Sequence, residues 1–259
     1  MSATSSKPLP PKGFTISNPR AEAVILPDQG TLVAALAERL ETAAREAIAA
    51  RGQFLVALSG GHTPEALYQL LAGPDWRDRF DWVRFHVFFG DERAVAPDDA
   101  RSNYRSARLG LLEKVPIPAQ QVHRWLSEAD DLDIAAREYA AQLAAHGGRL
   151  DVTLLGLGED GHIASLFPGS AQLRERTQSA VATDVSPTEP HLKRLTLTLP
   201  ALCASREVWF LAVGAGKSEP VRASFQEPVD SEVRPSQGIV LGSGVPLWFL
   251  DAAAGKLLT

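Results

Sequence analysis

The segment Asp151-Val152-Thr153-Leu154-Leu155-Gly156-Leu157-Gly158-Glu159-Asp160-Gly161-His162 sets an acid and a histidine two residues apart in a glycine loop that follows an apolar run. Imidazole is the natural side chain for taking a proton from water near neutral pH, and a carboxylate beside it can hold its tautomer and stabilise the imidazolium. His162 as general base and Asp160 as its support are the first candidates for catalysis; a histidine that merely satisfies the structure is the alternative. The same segment, read as Gly156-x-Gly158-x-x-Gly161 with Asp184 downstream, spells a dinucleotide fingerprint. Two features reject it. Glu159 and Asp160 would put carboxylates where a pyrophosphate must sit, and Pro168-Gly169 would cut short the helix that the fingerprint requires. No second close-set His or Cys accompanies His162, so no metal site is expected.

Other loops carry groups suited to an anion. In Ser59-Gly60-Gly61-His62-Thr63-Pro64, the glycines let backbone N–H groups turn inward, and the positive end of a following helix favours phosphate. A tight turn with no ligand is the bland alternative. Ala57-x-Ser59-x-Gly61 is also close to a serine-hydrolase nucleophile elbow, with Ala in place of the first Gly. Gly90-Asp91-Glu92-Arg93 offers a guanidinium fork for phosphate or a developing oxyanion, with acids beside it to orient it or accept sugar hydroxyls. Asp98, Asp99, Arg101, Ser102 and Asn103 follow. Arg194 in Lys193-Arg194-Leu-Thr-Leu-Thr and Lys217 in Val213-Gly214-Ala-Gly-Lys217 each place a cation beside a strand, open to a phosphate role or to a plain surface role.

Strands alternating with helices must position these loops. Strands are expected at 22–26, 54–58, 83–89, 121–125, 151–156, 180–183, 194–199, 208–213 and 247–250, and helices at 31–50 (closed by Gly52), from Thr63 as N-cap, from near Ser102, at 131–145, and opening near Lys217. Runs that are apolar throughout suggest strands covered on both faces, hence an α/β fold with a mostly parallel, Rossmann-like sheet flanked by helices. In such sheets ligands collect outside the carboxyl ends of the strands, which is where these loops fall. Residues 1–20 are expected to be a flexible tail and 21–259 a single domain.

The 259 residues are 45% hydrophobic and 22% charged, as in an ordinary globular protein. A net charge of −5 gives no general footprint for nucleic acid or an anionic membrane, so an anionic ligand must be held by a local cluster of cations. The single Cys203 rules out an intrachain disulfide and fits a reducing compartment. No apolar run is long enough to span a membrane, and no apolar signal region opens the chain. A cytoplasmic location is expected.

Taken together, SGGHTP at 59–64, GDERAV at 90–95 with SNY at 102–104, GLGEDGHIASLFPG at 156–169, RLTLTLP at 194–200 and GAGK at 214–217 resemble the 6-phosphogluconolactonase family across nearly the whole chain. That family is related to the glucosamine-6-phosphate deaminase/isomerases, whose Asn-Glu-Pro-Gly run carries an acid absent from Ser165-Leu166-Phe167-Pro168-Gly169. The resemblance implies a fold of the deaminase/isomerase type and hydrolysis of 6-phospho-D-glucono-1,5-lactone in the oxidative pentose phosphate pathway, without metal or organic cofactor. It assigns His162 as the base that activates water, Asp160 as its support, and Arg93, with Lys217, as the oxyanion donors. Gly60, Gly61, His62, Thr63, Asp91, Asn103, Arg194 and Lys217 would form the phosphate and substrate side. His62 departs from the pattern, since relatives often have Ser there. The expected partner is a phosphorylated sugar lactone, with no nucleic acid or membrane partner, and the protein is expected to be a monomer. An amino-sugar-phosphate deaminase and a non-catalytic sugar-phosphate sensor are the alternatives.

Overall fold

The computed structural model describes residues 13–259. Its strands are β1 (Phe14–Asn18), β2 (Ala21–Leu26), β3 (Phe54–Leu58), β4 (Phe85–Phe89), β5 (Asp91–Arg93), β6 (Val152–Gly156), β7 (Ala180–Ala182), β8 (Arg194–Leu197), β9 (Glu207–Ala212) and β10 (Leu247–Asp251). The helices are α1 (Gln29–Arg51), α2 (His62–Leu71), α3 (Pro74–Arg77), α4 (Asn103–Ala107), α5 (Leu132–Ala145), α6 (Leu199–Ala204) and α7 (Ser218–Gln226).

Seven strands form one sheet in the order β1-β2-β10-β9-β6-β3-β4, parallel except for the β1–β2 pair. The interior strands are mostly apolar and mostly buried, and β3 is apolar and buried at all five residues, as expected for strands covered on both faces. A second, antiparallel sheet, β5-β8-β7, continues from the end of β4. The helices pack around one hydrophobic core that runs from β2 through α1, β3, β6 and β9 to β10. α1 is specified at both ends. Asp28 accepts from the Thr31 N–H at 2.8 Å, and Gly52 closes the helix at φ +77°.

The chain runs from β3 outward to β4, then returns through β6 on the other side of β3 and continues to β9 and β10. The order therefore reverses between β3 and β6, and the crevice at such a reversal is where open α/β sheets bind ligands. The loops after β9, β6, β3 and β4 emerge side by side along that carboxyl edge.

Some expectations are corrected. Residues 14–18, expected in a flexible tail, form the antiparallel edge strand β1; residues 1–12 lie outside the described residues. The strand expected at 121–125 is a 3₁₀ turn over Ala119–Gln121 followed by a single bridge from Val122 to Val87. The strand expected from 83 begins at Phe85, because Trp82–Arg84 is a 3₁₀ turn. β5 interrupts the loop expected at 90–101, and Leu199 opens α6 instead of ending β8. Gly61, not Thr63, caps α2: its carbonyl accepts from the Glu65 N–H at 3.1 Å, and its φ of +101° suits glycine.

Candidate active site

The loop after β6 is built around His162. Its Nδ1 lies 2.6 Å from Asp160 Oδ1, and the same oxygen accepts from the His162 backbone N–H at 3.0 Å. Because a carboxylate only accepts, Nδ1 carries the proton and Nε2 presents a lone pair. Burial alone would raise the Asp160 carboxyl, yet the His162 side chain and backbone hold it below the usual carboxylate range. Gly158 makes this geometry possible: a Cβ there would fall 2.0 Å from His162 Nδ1 and 2.5 Å from Asp160 Oδ1. Gly161 at φ +84° turns the loop, and Ala164 holds a left-handed φ of +47° that non-glycine residues seldom adopt. No helix follows β6 directly; the chain from 157 to 170 is loop and turns with one Ile163–Leu166 bridge, which removes the dinucleotide fingerprint's anion-binding helix.

From this loop a hydrogen-bonded network runs to the loops after β4 and into β8. Ser165 Oγ donates to Asp91 Oδ2 at 2.6 Å, and the Ser165 N–H donates to Thr196 Oγ1 at 3.2 Å. Asp91 is buried and also accepts from Asn103 Nδ2 at 3.2 Å, with Arg194 Nη1 3.9 Å from its Oδ2. The Phe167 ring touches both sides, 4.5 Å from the His162 ring centroid and 5.5 Å from the Arg194 guanidinium carbon. Asn103 in turn lies against the glycine loop after β3. A Cβ on Gly60 would fall 1.9 Å from Asn103 Oδ1, so only glycine fits.

Arg93 and Arg194 are opposite one another in the β5–β8 register. Arg194 is only 3% exposed, which corrects the surface alternative for it. Burial lowers its pKa; Asp91 opposes this shift and the Arg93 charge adds to it, while guanidinium stays charged. Arg93 Nη1 donates to the Arg101 carbonyl at 2.5 Å and Arg194 Nη2 to the Pro190 carbonyl at 3.3 Å. In both, Nε is buried without a partner among the described residues. Two adjacent cations with orphaned buried donors form a site that gains from an anion.

Glu92, between Asp91 and Arg93, has a structural part. Its buried carboxylate accepts from the backbone N–H groups of Arg93 (2.7 Å), Asn103 (2.8 Å) and Tyr104 (2.7 Å) and from Ser102 Oγ (3.0 Å). Burial pushes its pKa up against the pull of those donors. It joins β5 to the first turn of α4 and so fixes Arg93 and Asn103 together.

The remaining candidates are placed more loosely. Lys217 ends the 3₁₀ turn after β9, half-buried and without an ion-pair partner among the described residues. Its loop nears the His162 loop where a Cβ on Gly216 would lie 3.5 Å from Glu159 Oε1. His62 and Thr63 sit in the first turn of α2, and no hydrogen bond ties their side chains to the other candidates. Among the described residues Ser59 Oγ has one hydrogen bond, to the adjacent Gly60 carbonyl at 3.5 Å, and no base reaches it, which removes the nucleophile-elbow geometry. Ser165, Phe167 and Thr196 join the site although nothing in their spacing singled them out. A surface cavity of about 730 Å³ contains none of the candidates; Glu128, Asp130, Asp131, Asp133 and Asp184 give it an acidic lining that suits an anion poorly. Among the described residues no helix is long and apolar enough to cross a membrane.

A model of the family described as glucosamine-6-phosphate isomerases/6-phosphogluconolactonase matches residues 27–248. A 6-phosphogluconolactonase of Mycobacterium tuberculosis is 44% identical over 246 residues, covering 90% of this chain and 97% of its own. One from Nostoc sp. is 37% identical over 244 residues, covering 91% and 97%. The solved structure of 6-phosphogluconolactonase from Trypanosoma brucei superposes with a TM-score of 0.80 at 26% identity, covering 92% of this chain and 98% of that one. By sequence along almost its whole length and by fold, the chain belongs to the glucosamine-6-phosphate isomerase/6-phosphogluconolactonase family.

Proposed function

We propose that the protein hydrolyses 6-phospho-D-glucono-1,5-lactone to 6-phospho-D-gluconate in the oxidative pentose phosphate pathway, acting as a cytoplasmic monomer. The observation that carries the mechanism is the 2.6 Å Asp160–His162 pair, which leaves Nε2 as the free basic nitrogen. Nε2 takes a proton from water as the water oxygen bonds to the lactone carbonyl carbon. The negative charge that develops on the carbonyl oxygen is met by Arg93, with Lys217. As the tetrahedral intermediate collapses, the bond to the ring oxygen breaks, and the imidazolium returns its proton to that oxygen. The products are a carboxylic acid, which ionises, and a hydroxyl. Asp160 stabilises the imidazolium throughout and keeps Nδ1 as the donor.

No covalent nucleophile is needed, because a δ-lactone is already an activated ester. The phosphate falls to the Arg194 side and to the Gly60-Gly61-His62-Thr63 turn at the start of α2, while Asp91 and Asn103 line the substrate side. Lactone hydrolysis followed against the spontaneous background, beside an assay for ammonia released from glucosamine 6-phosphate, tests this function. The expected result is lactone turnover without ammonia. Ammonia release without lactone turnover would make the protein a deaminase, and ligand-induced thermal stabilisation with neither activity would make it a sensor.

A further inference from the structure

Three histidines far apart in the sequence meet at the outer edge of the large sheet. His86 is the second residue of β4, the edge strand; His123 follows the bridge to β4 and donates its backbone N–H to the Val87 carbonyl at 2.7 Å; His146 is the residue that caps the C-terminus of α5. His86 Nδ1 and His123 Nε2 are 3.2 Å apart, and one ring nitrogen from each of the three lies within 4.8 Å of the others. The His146 ring centroid is 4.6 Å from each of the other two. All three side chains are partly exposed, so an ion could reach them. The cluster is roughly 16 Å along the strand direction from Asp91, at about 3.3 Å per residue, and shares no residue with the candidate active site.

We infer that His86, His123 and His146 form a binding site for a borderline divalent cation, of which Zn²⁺ is the best match, with a fourth position open to water. Zinc holds imidazole nitrogens at about 2.0–2.1 Å, which in a tetrahedron separates them by about 3.4 Å. The His86–His123 pair is close to that spacing at 3.2 Å, and the third nitrogen, within 4.8 Å of both, must close in by at most about 1.4 Å.

The surroundings favour a cation. His146 Nδ1 lies 2.9 Å from the Gln142 carbonyl, and a carbonyl only accepts, so Nδ1 carries the proton and Nε2 keeps its lone pair for a metal. That carbonyl to His to metal arrangement is the usual second layer of support for a zinc histidine. The negative end of α5 points its charge at the cluster. Three imidazole nitrogens with no carboxylate in the group favour Zn²⁺, Co²⁺, Ni²⁺ or Cu²⁺ over Mg²⁺ and Ca²⁺. Bound there, the ion would clamp edge strand β4 to the 122–125 segment and to the end of α5.

The test uses tag-free, chelator-treated and dialysed full-length protein titrated with CoCl₂ and ZnCl₂. The expected results are the visible absorption bands of tetrahedral Co²⁺, displaced by one equivalent of Zn²⁺, and a Tm roughly 5–10 °C higher at 100-fold excess over Kd. His123→Gln and His146→Gln should lose both signals and keep lactone turnover, whereas His162→Asn should keep both signals. In the wild type, Zn²⁺ should perturb the ring resonances of three of the six histidines, a readout that needs no variant to fold. Absence of saturable Co²⁺ and Zn²⁺ binding, binding unchanged in both glutamine variants, or binding lost in His162→Asn would overturn the site.

Discussion

At the scale of single residues, the proposed chemistry rests on a hydrogen bond that glycine makes room for. Gly158 exists so that His162 and Asp160 can pack against its Cα, and Ala164 takes a left-handed turn so that Ser165 can reach Asp91. The pairing of Asp160 with His162 was legible in the sequence, because a carboxylate two residues before a histidine in a glycine loop is a local pattern. Ser165 and Phe167 were not, since their partners Asp91 and Arg194 are distant in the chain. The Asp160 carboxyl is held below its ordinary value, so its pairing with His162 contributes stability above the unfolded carboxylate pKa of about 3.9 and loses that contribution as pH falls through the lower native value. Asp160→Asn should therefore lower Tm at neutral pH, with the gap to wild type closing in acid below that window. It should also reduce kcat, less than removal of His162 does. Thermal melts from pH 7 down to pH 3 check the first effect; a gap that stays constant across that range would contradict the pairing.

At the scale of elements, four loops on the carboxyl edge of parallel strands bring the site together, and a buried acid locks the one after β4. Glu92 joins β5 to the start of α4 through three backbone N–H groups and one hydroxyl. Glu92→Gln would replace one acceptor oxygen with a donor among those N–H groups. The expected cost is about 1–3 kcal/mol for a buried donor left unpaired, or a Tm roughly 2–12 °C lower, with an increase in KM as Arg93 and Asn103 loosen. Differential scanning calorimetry and steady-state kinetics check this; an unchanged Tm would show that the carboxylate does not hold the loop. Strands buried on both faces, such as β3 and β6, and the capped helix α1 could be read from their apolar runs and end signals. β1 and β5 could not: β1 is a mixed, largely exposed edge strand, and the three polar residues of β5 form a strand only because β8 lies beside them. The 121–125 segment has strand-like residues but makes one bridge, since the Gln121 and Val122 N–H groups close the 3₁₀ turn onto Pro118 and Ala119 and only His123 donates to β4.

At the scale of the whole molecule, the reversal of strand order between β3 and β6 sets the Gly60-Gly61 turn beside the Asp160-His162 loop. The alternation of strands and helices made the parallel sheet legible, but not the order of its strands, on which this neighbourhood depends. The acidic balance of −5 conceals a paired Arg93 and Arg194 whose buried donors call for an anion. It also conceals the His86, His123 and His146 cluster, which spans 60 residues of sequence and has no local signature. The central claim is that His162 activates water with no covalent nucleophile. The direct measurement is kcat for lactone hydrolysis by wild type, His162→Ala and Ser59→Ala, with melting curves and 6-phosphogluconate binding on each to show intact folding and an intact phosphate site. His162→Ala should fall by about 10²–10⁴-fold in kcat with Tm and product binding retained, while Ser59→Ala keeps the chemical step. Near wild-type turnover by folded His162→Ala would contradict the account.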